Sequence, residues 1–391
     1  MQESKSFSIK NLLLITLLFA GSFFGPFGGN MIFPMFKALK LEFEIDVLLL
    51  GLSVTLFMVP FSITQLFSGI LSDIFYGRKI MITLGFLIYG MGAFIASVSP
   101  SIWIFLLSRC IQGIGAALVI PSIMALVGDV FRKEIRGKIM GGMAISTTLG
   151  GALGPLFGGF FSDINWRLGF TVLGVMSIAF TLLAPLALPS TSPSSAKFNF
   201  LKVIKESFFH PMVLTIGFLG FMLFYVRVGV YTYLADLLSL NPYNLSGGVI
   251  GSYFSLAGVG GLIAGFLAGY LTDKVGRLRT MIAGFSMLLI VLSAYTAPIW
   301  YQLLPLLLFF TGFSSTHVFT PLNTIAIEID PEYRATIASI YGFMRFLGYA
   351  LGPVIAYPLY VYLSLNGVVL SAVAVIILSL TLSLAIRKTI S

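Results

Sequence analysis

The sequence has very little charge. Of its 391 residues, 9 % are charged and 58 % are hydrophobic, and the mean hydropathy is +1.02. A soluble domain carries about 25 % charged residues, so a soluble protein of this composition would lack the polar surface that water requires. The composition excludes an ordinary soluble protein and predicts a chain that lies in a lipid bilayer.

Residues that build enzyme sites are also scarce. The chain has two histidines and one cysteine, Cys110, and a lone cysteine allows neither an intramolecular disulfide nor a cysteine metal cluster. The sequence contains no Gly-x-x-x-x-Gly-Lys-Ser/Thr loop for ATP phosphates. No acidic residue lies clearly in the middle of an apolar run. We predict a protein that is not an enzyme and that binds no cofactor or metal.

Long apolar runs fill most of the chain. A helix needs about 20 apolar residues to cross a bilayer, and hydrocarbon offers no partner for an unpaired backbone group, so each run is expected to be helical. The runs predict an all-α polytopic membrane protein with twelve transmembrane helices, the first of which is retained rather than cleaved as a signal peptide. Their predicted bounds are 11–36, 47–71, 79–98, 101–128, 138–162, 168–188, 210–236, 247–271, 280–297, 300–327, 336–362 and 367–386.

The net charge of +9 is explained by topology. If the N-terminus is cytoplasmic, seventeen of the 23 cations fall in inner segments, three in outer loops and three within spans. The positive-inside rule then predicts a multi-pass protein of the cytoplasmic membrane with both termini in the cytoplasm. The expected partners are the lipid bilayer and a small-molecule substrate, with no nucleic acid, and we expect a monomer.

The chain repeats itself at an interval of about half its length. Asp73 corresponds to Asp273, 200 residues later, and Gly154 corresponds to Gly352, 198 residues later. Six spans separate the copies, so the repeat predicts two pseudo-symmetric six-helix bundles with the same orientation. The predicted parts are an N-terminal bundle at 1–188, a cytoplasmic linker at 189–209 and a C-terminal bundle at 210–391.

Three short motifs give the chain a family resemblance. The segments "GILSDIFYGRK" from Gly69 and "GYLTDKVGRLR" from Gly269 resemble motif A of the major facilitator superfamily, and "RCIQGIGAA" from Arg109 resembles motif B. The segment "GGALGPLFGG" from Gly150 resembles motif C of the twelve-span drug:proton antiporters. The chain is similar to this superfamily over nearly its whole length. The resemblance implies a secondary active transporter that moves a small molecule by alternating access.

Motif A implies a cytoplasmic latch. In the superfamily it holds neighbouring helices together and favours the outward-facing state, and an Asp near a helix N-terminus can pair with a nearby cation. The alternative is that these cations only anchor the topology. The first copy is one residue longer between Asp and Gly than the second. The expected latch residues are Gly69, Asp73, Gly77, Arg78, Gly269, Asp273, Gly276 and Arg277.

Motif C implies a hinge or seal between the fifth and eighth spans. Its glycines recur every four residues on one helical face, which lets helices approach closely, and its proline bends the helix. Tight packing alone is the alternative. Gly261, Gly265 and Gly269 predict a second close-packed face in the eighth span. The expected hinge residues are Gly150, Gly154, Pro155, Gly158 and Gly159.

Ionisable residues within the spans are the candidates for the substrate or proton pathway. An arginine at the bilayer centre costs about 2.5–3.5 kcal/mol, and such residues usually face an interior cavity. The alternatives are that Arg109 and Arg227 extend towards the membrane surface, and that His317 is an ordinary core histidine. The full candidate set is Asn30, Arg109, Gln112, Arg227, His317 and Arg345.

Two transport functions remain open. Motif C favours proton-coupled efflux of drug-like compounds. However, the antiporter pattern expects an Asp nine residues before Pro34, and this chain has Gly25 there. The proton would then need another carrier, for which Asp129, Glu328 and His317 are the candidates. The arginines and the missing carboxylate favour uptake or exchange of an organic anion or metabolite instead.

Overall fold

The chain forms long helices throughout its described part. The computed structural model describes residues 9–70, 77–189, 207–330 and 333–390, and in these ranges no residue is in a β-strand. A short 3-10 turn, Phe33–Met35, separates the first two helices. The helices are α1 Ile9–Asn30, α2 Phe36–Phe43, α3 Val47–Ile70, α4 Gly77–Ser97, α5 Ile102–Val130, α6 Lys133–Ile164, α7 Trp166–Ala187, α8 Pro211–Ser239, α9 Gly247–Lys274, α10 Arg277–Ala294, α11 Trp300–Glu328 and α12 Arg334–Ile390.

Eleven helical stretches in the described ranges are long and apolar enough to cross a membrane, counting Ile9–Phe43 as one. Large apolar side chains also lie exposed on the outside of the bundle, such as Phe266 at 75 % and Ile290 at 70 %. A surface of this kind is stable against lipid rather than water. The all-α prediction is confirmed for the residues described.

The last helix is unusual in length. The range of α12 has 57 residues and contains a kink, whereas about 20 helical residues are enough to cross the hydrocarbon core. The backbone of Ser364 is not helical, with φ 55° and ψ −156°. This interruption falls between the last two predicted spans. The count of twelve spans therefore stays a prediction, with Ser364 as the point where the long helix divides.

The sequence repeat appears as a repeated helix contact. A Cβ on Gly150 would lie 2.4 Å from the carbonyl oxygen of Phe23, and a Cβ on Gly348 would lie 2.2 Å from that of Phe221. Both members of the second pair lie 198 residues after those of the first. Helix α6 thus packs on α1 as α12 packs on α8, and only glycine permits so close an approach.

We call α1–α7 the first half of the chain and α8–α12 the second half. Two helix pairs join the halves most extensively, α3 with α12 and α6 with α9. In the first pair, Thr55 donates a hydrogen bond to the carbonyl oxygen of Ala350 at 2.6 Å, and the Phe61 ring packs edge-on against Phe346 at 4.8 Å. The linker predicted at 189–209 falls mainly on residues 190–206, which lie outside the described residues.

The contact between α6 and α9 corrects the prediction of a close-packed glycine face in the eighth span. In this conformation nothing lies within 4 Å of a Cβ placed on Gly265 or Gly269, so the predicted close-packed face of α9 does not continue beyond Gly261. The close approach of α9 to α6 is instead made nearer the beginning of α9, for example by Gly251, whose Cβ would lie 2.3 Å from the carbonyl oxygen of Pro155, and by Gly258. The prediction was wrong because spacing alone does not tell which face of a helix meets a neighbour.

Candidate functional site

The two motif A segments contain a backbone feature that requires glycine. Gly77, where α4 begins, has a φ of 73°, and Gly276, just before α10, has a φ of 105°. Residues with a side chain rarely adopt positive φ, so the turn explains these two predicted glycines. Gly69 lies in the last turn of α3 and Gly269 in α9, while Asp73 lies outside the described residues.

An ion pair follows each turn. The Arg78 Nε lies 3.1 Å from Asp129 Oδ2, and Arg277 donates to both carboxylate oxygens of Glu328. The partners are 51 residues apart in both pairs, which is the signal that would have identified them from the repeat. Each pair joins neighbouring helices within one half, α4 with α5 and α10 with α11. Control of the outward-facing state stays a prediction.

Asp273 does not form the ion pair expected of the motif A aspartate. It lies near enough to Arg277 to interact with its charge, yet among the described residues it forms no ion pair. Glu328 occupies that role instead. The end of the bundle with these two ion pairs is called the Asp129 end, and the opposite end, which carries Asp236, is called the Asp236 end.

Motif C contacts two different helices. A Cβ on Gly154 would lie 2.4 Å from the carbonyl oxygen of Phe27, and one on Gly158 would lie 2.0 Å from that of Met31, so this face meets α1 and the turn that follows it, and not α9. Gly159 does face α9, where its Cβ would lie 2.3 Å from the carbonyl oxygen of Gly247. The role as a hinge or seal stays a prediction.

Asp163 adds an inter-helix contact that the sequence analysis did not identify. Its two carboxylate oxygens accept hydrogen bonds from the backbone nitrogens of Gly247 and Gly248, both at 2.8 Å. These nitrogens lie in the first turn of α9, which has no partners for them within the helix and favours negative charge. The end of α6 therefore caps the beginning of α9 and joins the two halves at the Asp236 end.

Arg109 lies in the core of the first half. Its exposed fraction is 0 %, so it does not extend towards the membrane surface. The guanidinium donates to Gln112 Oε1 at 2.7 Å and to the backbone oxygens of Ser53 and Gly28 at 3.3 and 3.5 Å. It also lies 4.5 Å from the centre of the Phe57 ring. These contacts hold α1, α3 and α5 around one buried cation.

His317 occupies the core of the second half. It is 2 % exposed, its Nδ1 lies 2.9 Å from the carbonyl oxygen of Phe313, and its ring packs against the Phe313 ring at 4.6 Å. In the described part of the chain it contacts none of the three intramembrane arginines. This is the arrangement of the core-histidine alternative, and a role in proton transfer stays a prediction.

Two helices present half-buried residues at helical spacing. On α1 they are Phe23, Pro26 and Asn30, and on α8 they are Phe224 and Arg227. Asn30 Oδ1 accepts a hydrogen bond of 3.5 Å from the hydroxyl of Tyr349, which belongs to the second half. Arg227 lies 5.5 Å from the centre of the Tyr231 ring. We call the surroundings of this contact between the halves, namely Asn30, Phe224, Arg227 and Tyr349, the interior face.

The third arginine is surrounded by aromatic rings. The Arg345 Cζ lies 4.3 Å from the ring centre of Phe346, 4.8 Å from Phe319, 5.4 Å from Tyr341 and 5.5 Å from Phe224. Its Nη1 donates to Asn323 Oδ1 at 3.3 Å, and its buried Nε has no hydrogen-bond partner in the described residues. We call these residues the Arg345 box.

The structure brings three of the predicted pathway residues to one region. Phe224 and Tyr349 pack at 6.1 Å, and they connect the surroundings of Arg227, Arg345 and Asn30. Arg109, Gln112 and His317 are instead buried, although Arg109 lies near enough to Tyr349 to interact with it electrostatically. No described carboxylate forms an ion pair with any of the three arginines. The interior face therefore offers cations and aromatic rings, a combination that suits an anionic or neutral aromatic ligand.

Comparison with known protein families identifies the family of this chain. The family profile "Major Facilitator Superfamily" matches residues 18–353 and 218–389. The chain belongs to the major facilitator superfamily. It is 27 % identical to an uncharacterized MFS-type transporter, YceJ of Bacillus subtilis, over 91 % of this chain and 92 % of that protein. It is 25 % identical to the quinolone resistance protein NorA of Staphylococcus aureus, over 84 % of this chain and 87 % of NorA.

The fold agrees with this membership. A bacterial homolog of the human lysosomal transporter Spinster, solved in an inward-facing and occupied conformation, superposes with a TM-score of 0.78 at 16 % identity over 98 % of both chains. As a member of the major facilitator superfamily, the chain is a multi-pass membrane transporter of a small molecule. Superfamily membership indicates transport and gives no indication of a catalytic activity.

Proposed function

We propose that this transporter exports drug-like, amphipathic organic molecules by proton-coupled alternating access. The observation that carries the proposal is the interior face, where aromatic rings surround Arg345 between the two halves of the chain. Rings of this kind accept varied apolar bodies, and a few polar groups fix their orientation. The similarity to the quinolone resistance protein NorA supports export as the direction.

The proposal includes a topology. We propose that α12 contains two spans that meet near Ser364, which gives twelve spans in two six-helix bundles, 1–188 and 210–391. The length of α12 and the non-helical backbone at Ser364 support this division. We place the Asp129 end in the cytoplasm with both termini, because most cations of the sequence fall in the segments at that end.

A second candidate function is uptake or exchange of an organic anion. It is supported by Arg227 and Arg345, which both lie on the interior face and have no carboxylate partner in the described residues. An unpaired cation in a membrane protein is costly, and an anionic substrate would offset that cost on each transport cycle.

Transport by the purified protein in liposomes tests both candidates. The liposomes are loaded at acidic pH and diluted into alkaline medium, and accumulation of a fluorescent quinolone and of a neutral amphipathic dye is followed. Export by proton exchange predicts accumulation that disappears when nigericin collapses the pH gradient and that protein-free liposomes do not show. Movement of the quinolone, whose carboxylate the neutral dye lacks, without a response to the pH gradient and without movement of the dye would reject proton-coupled efflux and favour the second candidate.

A further inference from the structure

We propose that the Arg345 box is the binding site for the carboxylate of an aromatic organic anion. The inference rests on the proposed transport of an amphipathic molecule along the interior face, and it specifies the chemical class of that molecule. It concerns binding only, so it holds for export and for uptake.

The first reason is the unused hydrogen-bonding capacity of Arg345. A guanidinium has five N–H donors and no acceptor. In the described residues one donor reaches Asn323 Oδ1, at 3.3 Å, the Tyr341 hydroxyl lies close enough to interact with the guanidinium, and the buried Nε has no partner. A buried donor without a partner costs free energy that a hydrogen-bonded ligand recovers. Carboxylates match this group because they accept two parallel N–H bonds from its planar edge.

The second reason is the set of four rings around the charge. Their centres lie between 4.3 and 5.5 Å from the Arg345 Cζ, inside the range of about 6 Å for cation–π attraction. The three phenylalanine rings stabilise the cation without accepting its N–H groups in the way an oxygen does, and the Tyr341 hydroxyl is the one oxygen among the four rings. Most of the donors therefore stay available for a ligand. They also present apolar and aromatic surface to whatever molecule carries the anionic group.

The third reason is the contrast with the other two arginines. Arg109 is fully buried and donates to three oxygens of the protein, so it has little capacity left for a ligand. In the described residues Arg227 has one ring close to its guanidinium, that of Tyr231 at 5.5 Å. Of these three arginines, and among the described residues, Arg345 is the one that combines a half-buried position, a surrounding set of rings and a donor without a partner.

The position of the box relates ligand binding to the contact between the halves. Phe346 packs on one side against the Arg345 guanidinium at 4.3 Å and on the other against Phe61 of α3 at 4.8 Å. A molecule held by Arg345 therefore lies beside the surface where α3 meets α12. We expect it to contact both halves, as a substrate carried between two conformations requires.

The test compares two probes that differ in one group, anthracene-9-carboxylate and its neutral amide. Binding to the purified protein is measured by probe fluorescence and by the rise in melting temperature that a ligand of the folded state produces. We expect the wild-type protein to bind the acid about tenfold or more tightly than the amide, as a charge-assisted hydrogen-bonded pair provides. Equal affinities, or no binding of the acid, would overturn the proposal.

Variants test whether Arg345 causes the preference for the acid over the amide. Arg345→Gln is expected to reduce affinity for the acid about tenfold and to leave the amide unchanged, and Arg345→Lys to give an intermediate loss because the planar edge is missing. Arg279→Gln, an exposed cation of α10, is the matched control and should keep the preference. Loss of the preference in Arg227→Gln instead of Arg345→Gln would overturn the assignment. If Arg345→Gln does not fold, the affinities of Arg345→Lys and of the wild-type protein for the acid and the amide decide whether the proposal holds.

The outcome separates this inference from the proposed function. Dye transport without a preference for the acid overturns the inference and leaves drug export standing. A preference for the acid without dye transport supports the inference and moves the function to the organic-anion candidate.

Discussion

Lys40 and Asp236 form an ion pair between the two halves of the chain, with 2.9 Å between Nζ and Oδ1. Lys40 belongs to α2 and Asp236 to α8, 196 residues later. The side chain of Asp236 is 2 % exposed, and its second oxygen accepts a 2.9 Å hydrogen bond from the Tyr360 hydroxyl. The carboxylate thus connects α2, α8 and α12 at the Asp236 end. Because the ion pair with Lys40 joins the two halves, we expect that pair to break when this end opens.

Lys40→Met should destabilise the protein. In the described residues it leaves the buried Asp236 carboxylate with Tyr360 as its remaining hydrogen-bond partner, and we expect a loss of about 1–3 kcal/mol, between the values for exposed and buried ion pairs. Thermal unfolding in detergent measures it. Lys37→Met is the control, because Lys37 donates to a neutral acceptor, Asn244 Oδ1, at 2.6 Å. An equal loss in the two variants would contradict a special role for the ion pair.

Gly154→Ala and Gly151→Ala should differ although they lie one turn apart on α6. A Cβ on Gly154 would lie 2.4 Å from the carbonyl oxygen of Phe27, whereas nothing lies within 4 Å of one on Gly151. We expect Gly154→Ala to lose about 1–3 kcal/mol through overpacking, and Gly151→Ala to be neutral or to gain up to about 1 kcal/mol. Melting temperatures check this, and similar shifts in both would show that α6 does not pack on α1 in this way.

Asp163→Ala should loosen α6 from α9. The change removes two hydrogen bonds, to the nitrogens of Gly247 and Gly248, which is expected to cost about 0.5–2 kcal/mol. The readout is the rate at which a maleimide labels Ser162→Cys in a Cys110→Ser background, because Ser162 lies against Gly247.

Asp46→Ala is the control for that experiment. Asp46 also caps a helix, but it accepts from Leu49 of its own helix α3, at 3.2 Å. We expect faster labelling in Asp163→Ala and no change in Asp46→Ala. Unchanged labelling in both would mean that the cap does not hold the halves together.

The sequence predicted the helices and the special turns well, and for a physical reason. Hydrophobicity fixes where a chain crosses a bilayer, so the predicted spans lie close to the observed helices. The duplicated motif marked Gly77 and Gly276, whose positive φ only the backbone of glycine tolerates easily. These are local properties, and a single sequence carries them.

The contacts between helices were much less predictable. Thr55 and Ala350 are 295 residues apart, and Asn323 gave no sign that it would face Arg345. Because aromatic residues make up 14 % of the chain, nothing in the sequence selected Phe224, Phe319 and Phe346 as the rings of the site. Which helical face meets which neighbour depends on tertiary packing, and hydrophobic periodicity is weak where both core and lipid are apolar.

Arg277→Glu should impair transport more than it impairs stability. Arg277 and Glu328 are 38 % and 43 % exposed, and exposed ion pairs contribute about 0–1 kcal/mol, so we expect a small change in melting temperature. The reversed charge places two carboxylates at the junction of α10 and α11, which repel each other and disturb the motion of these helices. The double variant Arg277→Glu/Glu328→Arg restores the pair and should recover transport in liposomes. If the double variant stays as impaired as the single one, the positive charge of Arg277 acts through another partner, and Asp273, which lies near it, becomes the residue to test.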